Sequence, residues 1–203
     1  MGRSSSWRLI KGTDKDKGQT LILYGAVMAG LLFLALAFFT VAQASTVRNG
    51  GQSAADAAAL AAARDDRDQL FDGFLDSLGE GDSWQDWLDL TAPLTGDGCG
   101  EADEFADSND SDVLSCEPIT REMDPGYTVK IETRFDTGNT IIPGTENKTA
   151  KSDATAVVQP LCDFDPDIDK IEITCDGDEF EIDPDDDEID LESADLFSVV
   201  LVE

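Results

Sequence analysis

Histidine is absent from the 203-residue chain. Ser-His and Cys-His nucleophilic pairs, histidine metal ligands and an imidazole switch near neutral pH are therefore all excluded. Basic residues are scarce: 14 Lys and Arg stand against 44 Asp and Glu, for a formal charge of −30. Such a charge repels phosphate, which makes nucleic acid the least suitable partner. No catalytic motif singles out an acid/base pair among the many carboxylates, and the reading is a protein that is not an enzyme.

Charge is missing altogether between Lys17 and Arg48. Within that gap Leu21 to Ala42 is one apolar run of 22 residues, which as a helix reaches ~33 Å and matches a hydrocarbon core of ~30 Å. Residues 1–17 carry a net +3, leaving −33 for the remainder. By the positive-inside rule the basic tail is cytoplasmic and the chain beyond the run is extracytoplasmic. Within the run, Gly25 and Ala29 lie four apart on one helical face, a spacing that lets another helix approach closely. A competing reading is a cleaved signal, since Ala42-Gln43-Ala44 precedes Ser45 in the small-x-small pattern of a cleavage site.

Cys99, Cys116, Cys162 and Cys175 all follow the apolar run. An even number in an oxidising space predicts two disulfides, and short loops favour Cys99 with Cys116 and Cys162 with Cys175 among three connectivities. After Gly50 and Gly51, eight of the twelve residues from Ser53 to Arg64 are Ala, a strong helix signal. The periodicity continues through Phe71, Phe74, Leu75 and Leu78 until Gly79 and Gly81 stop it. Glycine costs ~1 kcal/mol in a helix interior, so a bend or break is expected at Gly50-Gly51. Ala58 and Ala62 are candidates for bundling with a partner helix, against the plainer alternative of packing on the chain's own domain.

Farther on, Ser83 is placed as the cap of a short helix carrying Trp84, Trp87 and Leu88, and Thr95 to Asp112 reads as loop. Tyr127 to Asp136 alternates as a strand entered by a turn at Asp124-Pro125-Gly126, and Ala154 to Leu161 is a second strand. Asp176-Gly177 joins two strands in a hairpin whose register sets Ile171 opposite Ile182, Ile173 opposite Phe180, Glu172 opposite Glu181 and Lys170 opposite Asp183. The segment Leu196 to Glu203 reads as a buried terminal strand. Acid concentrates in residues 163–195, which hold seventeen Asp or Glu and one Lys. Asp163, Asp165, Asp167 and Asp169 resemble the opening of a calcium loop, but Ile168 and Thr174 replace the Gly and Glu that an EF-hand needs. Calcium is thus a weak candidate beside a solvated acidic surface, and no other cofactor is expected.

The expected architecture is α+β. A basic tail (1–19), a transmembrane helix (20–44) and an Ala-rich helix (45–80) precede an acidic, mainly antiparallel β domain with disulfides (81–203). Lys15-Asp16-Lys17-Gly18-Gln19-Thr20-Leu21, the apolar run, and Gln52-Ser53-Ala54-Ala55-Asp56-Ala57-Ala58-Ala59-Leu60 occur together at the spacing found in TadE/TadG-like proteins of Tad (Flp) pilus assembly. The region 15–64 resembles that family. The resemblance implies a single-pass, non-enzymatic envelope protein, a pilus-assembly or minor pseudopilin component whose partners are the membrane and other Tad-like assembly proteins. Leu23 stands where peptidase-processed pilins carry Glu, which favours an anchored accessory over a filament subunit. The alternative is a secreted, acidic, cation-dependent binding module released at Ser45.

Overall fold

A computed structural model describes residues 19–140, 143–165, 171–184 and 189–203. The basic tail, Asp167, Asp169 and Lys170 lie outside the described residues. The chain is α+β, as its sequence pattern implies. Helix α1 spans Gln19–Ser77, 59 residues without interruption, or roughly 88 Å of rod. The break expected at Gly50-Gly51 is absent, because those glycines are contact points. A Cβ on Gly50 would come 2.7 Å from Cζ of Phe135, and one on Gly51 would come 2.9 Å from Cβ of Ala150. The helix stays intact and the domain closes onto it where side chains are missing. At the far end Gly79 and Gly81 adopt φ of 83° and 72°, left-handed values that terminate the helix.

Helix α2 (Trp84–Leu88) follows. Ser83 does occupy its N-cap position, but no side-chain capping bond forms, and its Oγ donates instead to the Glu80 carbonyl at 3.2 Å. The stretch expected as loop contains helix α3, Gly98–Ser108. Its two glycines and many acids give it poor intrinsic propensity, and tertiary packing overrides that. Ala102 and Ala106 are fully buried, Asp97 caps the helix by accepting from the Gly100 amide at 3.1 Å, and Cys99 is tied to Cys116. Gly98 sits so close to the Ala62 carbonyl and the Tyr127 ring, at 2.8 and 2.7 Å from where a Cβ would lie, that no larger residue fits.

Strands β1 (Ser111–Arg121), β2 (Asp124–Thr133), β3 (Lys151–Pro160) and, after a single-turn helix α4 (Ser193–Leu196), β7 (Phe197–Val202) form one antiparallel sheet in the order β1-β2-β3-β7. The β1–β2 turn falls at Glu122 and Met123, with φ of 55° and 90°, not at Asp124-Pro125-Gly126. Pro125 lies opposite Thr120 in the ladder, but β3 joins β2 only from Gly126 onward, so the missing proline N–H leaves no partner unsatisfied there. Gly126 is needed because a Cβ would run into the Ala156 carbonyl oxygen. The dipeptide is a strand entry imposed by close strand packing.

A second sheet comprises β4 (Cys162–Phe164), β5 (Ile171–Cys175) and β6 (Asp178–Ile182). Its hairpin has the predicted register, with Ile171 opposite Ile182, Glu172 opposite Glu181 and Ile173 opposite Phe180. Cys162 bonds to Cys175 across the β4–β5 pair. This sheet is linked to α1 through Trp84, which meets Phe74 of α1 and Phe164 of β4 edge-on at centroid distances of 6.4 and 5.1 Å. The terminal strand is not buried as expected: β7 is at an edge, only Phe197 is fully enclosed, and Leu201 is 45% exposed.

Candidate functional site: the long helix and its buried seam

Two stretches of α1 meet different surroundings. From Leu21 to Phe39 the large side chains project from the rod on every side, Phe38 at 73% exposure, and no described residue covers them. This is the one helix in the described chain long and apolar enough to cross a membrane, with a mean hydropathy of 2.5 in its most apolar window. Gly25 and Ala29 belong to this uncovered stretch, and apart from the helix's own backbone and the adjoining residues nothing described lies within 4 Å of where a Gly25 Cβ would be. Thr40 turns its hydroxyl back onto the Leu36 carbonyl at 3.1 Å, satisfying a polar group within an apolar run.

From Ala54 onward the helix becomes the spine of the domain. Ala54, Ala55, Ala58, Ala59, Ala62 and Ala63 have no exposed surface, and they pack with Val129, Ile131, Ala154, Ala156 and Val158 of the sheet and with Ala102 and Ala106 of α3. Small side chains let the helix lie close to both. Ala58 and Ala62 therefore face the chain's own sheet and α3, and their surface is not open to a partner helix.

One polar pair interrupts this seam. Asp66 is 3% exposed, and Tyr127 of β2 donates its hydroxyl to Asp66 Oδ1 at 3.0 Å. Burial pushes the Asp66 carboxyl up to about 6, opposed by the Tyr127 hydrogen bond and reinforced by the neighbouring Asp65. The Tyr127 phenol is raised as well, first by its own burial and then by Asp66, Asp65 and Asp97. Asp65 keeps one carboxylate oxygen, Oδ2, buried without a hydrogen-bond partner. Asp66 and Tyr127 are both buried, so the pair ties α1 to β2 and is shielded from an external substrate.

Of the calcium-loop candidates, Asp163 and Asp165 are among the described residues. Asp163 pairs opposite Thr174 in the β4–β5 ladder, and Asp165 follows the end of β4. Among the described residues no group of three or more His, Cys, Asp or Glu is arranged to hold a metal. Sequence reasoning missed Asp66, Tyr127 and the glycine contacts. The available signal was an acid placed among the buried positions of an amphipathic helix, three residues after Ala63 and four before Leu70.

Residues 18–65 match the family model described as putative Flp pilus-assembly TadE/G-like. The matched stretch runs from the start of α1 through its uncovered half and across the alanine face. No curated protein and no solved structure matches the chain.

Proposed function

We propose that this chain is a non-enzymatic component of a Tad-like pilus-assembly apparatus, anchored in the cell membrane by the first half of α1. The basic tail is cytoplasmic, and the disulfide-bearing acidic domain is displayed outside and works with other envelope assembly proteins. The observation that carries this reading is the single uninterrupted helix α1, apolar and uncovered in its first half and built into the domain core in its second. A rod continuous from bilayer to domain fixes the domain's direction and height relative to the membrane, a property useful in a protein that positions partners. The match at residues 18–65 supports the assembly role. The net +3 on residues 1–17 supports the orientation, and the two disulfides support an oxidising compartment.

Fractionation of cells with intact-mass measurement, followed by protease treatment of the exposed cell surface, tests the proposal. The expected result is a species resistant to alkaline extraction that retains Leu21 to Ala42 and loses its domain to external protease. A soluble species beginning at Ser45 overturns anchoring, and a membrane species with a protected domain overturns the orientation.

A further inference from the structure

The edges of the two sheets are treated differently. A free edge presents unpaired N–H and C=O groups to any extended chain, and proteins usually blunt it with charge, proline, a bulge or short length. Strand β1 carries Asp112, Glu117, Pro118 and Arg121, and its register shifts between Val113 and Ser115. In the second sheet β4 is three residues long, and β6 carries Asp178, Glu179 and Glu181. Strand β7 has none of these devices. Its sequence is Phe-Ser-Val-Val-Leu-Val, its register with β3 runs unbroken from Phe197 to Val202, and among the described residues no strand pairs on its other side. The strand offers ~20 Å of regular edge.

Acid brackets this bare edge. Asp190, Glu192 and Asp195 precede it, and Glu203 follows. Beyond its end, Asp56 of α1 and Asp153 of β3 line a groove together with Leu201, Val202 and Glu203. A second copy of this chain pairing antiparallel through β7 would set Glu203 near Asp195 and Glu192, like charges against like, which disfavours self-pairing. A strand with the opposite flanks meets complementary charge at both ends.

We propose that the free edge of β7 is a docking site for an extended segment of a partner protein, about six residues long with an apolar side chain at every second position and flanked on each side by Lys or Arg. Main-chain hydrogen bonds to β7 supply the pairing, the apolar side chains cover Leu201 and its neighbours, and the basic flanks select against other strands. The inference does not depend on membrane anchoring, because β7 belongs to the folded domain in either case.

The test uses the full chain with its disulfides intact, in neutral-lipid nanodiscs, and three fluorescent peptides: KKTVTVTVKK, EETVTVTVEE and KKTVPPTVKK. The third keeps the charge of the first but cannot complete a ladder. The expected result is saturable binding of the first peptide, about tenfold or more weaker for the other two, with added amide-exchange protection in residues 197–202. Leu201→Lys should weaken binding about tenfold with unchanged melting, and Leu114→Lys on the β1 edge should leave binding as it was. Equal binding of the two Lys-flanked peptides would reduce the interaction to charge attraction and overturn the proposal. Failure to bind, or protection on β1 in place of β7, overturns it equally. Concentration-dependent protection of β7 without peptide would make the occupant a second copy, again against the proposal.

Discussion

The two halves of α1 are made of the same backbone and differ in what surrounds them. In the first, Leu, Phe, Val and Met project outward and nothing in the described protein covers them; in the second, alanines with almost no side chain are completely enclosed. Hydrophobicity alone would assign the burial the other way round. Size decides it, because a helix reaches close contact with a sheet and a second helix only where its side chains are short, whereas bulky residues facing outward suit hydrocarbon. The uncovered stretch from Leu21 to Phe39 contributes nothing to the domain's core, whereas the second half builds that core with alanines against the sheet and α3 and with Leu70 and Phe74 enclosed farther along.

That contrast is broken most forcefully by placing one charge in each half. Ala62→Glu buries an uncompensated carboxylate between α1 and α3 and should cost about 3–5 kcal/mol, enough to abolish cooperative melting of the domain while leaving membrane retention intact. Leu32→Glu should do the reverse: unchanged domain melting, followed in detergent by near-ultraviolet circular dichroism, with reduced membrane insertion. If both variants melted alike, the two halves would not be energetically separate. Next in size is the staple of α3. Replacing Cys99 and Cys116 by Ser opens a loop with a sequence separation of 17 and should cost about 3 kcal/mol. The loss should be read as a lower melting temperature, with amide exchange fastest in α3, because that helix has poor propensity of its own.

Much of this comparison is legible in the residues themselves. The uncharged run, the alanine tract, the Asp176-Gly177 hairpin with its Glu172–Glu181 pairing and the short-loop cysteine spacing are all local patterns, and the structure contains each. What the pattern could not carry was tertiary. Gly50 and Gly51 read as helix breakers because propensity counts the helix alone, whereas Phe135 and Ala150, 85 and 99 residues along the chain, press on them. Residues 98–108 read as loop because Gly98, Gly100 and four acids outweigh two alanines locally, while the buried contact of those alanines with α1 outweighs them globally. Pro125-Gly126 carries a turn signal that close approach of β3 turns into a strand requirement. Strand β7 is apolar enough for a sheet centre and lies at the edge, a placement set by the order in which strands join.

A subtler change sharpens the comparison at the boundary between the halves. Gly51→Val puts branched carbons into a tight spot, since Ala150 Cβ, Ser152 Oγ and Thr133 Cγ2 lie 2.9, 3.1 and 3.2 Å from where a Cβ would stand. Overpacking at this point should cost about 2 kcal/mol in spite of any gain in helix propensity. Thermal melting of the full chain measures it, and an increase in stability would mean that the clamp at Gly51 does not hold the helix.

The smallest effect runs in the opposite direction and comes from the polar interruption of the alanine seam. Asp66 titrates at about 6 in the fold against 3.8 for an unperturbed carboxyl, so the folded state favours its neutral form. Its contribution to stability is complete below pH 3.8 and is lost as pH rises through 6. At pH 7.5 the folded protein holds a buried negative charge beside Asp65, with the Tyr127 hydroxyl offsetting only part of it. Asp66→Asn keeps an oxygen that can accept from Tyr127 and removes that charge. It should stabilise the domain by about 1–2 kcal/mol at pH 7.5, allowing for screening, and by almost nothing at pH 4. The general relief of acidic self-repulsion on lowering the pH is nearly the same in both proteins and cancels in the difference between their melting temperatures. A difference that stays constant from pH 4 to pH 7.5 would show that Asp66 is held by its hydrogen bond alone and that the seam tolerates its charge, whereas a gap that opens through pH 6 assigns the penalty to the buried carboxylate.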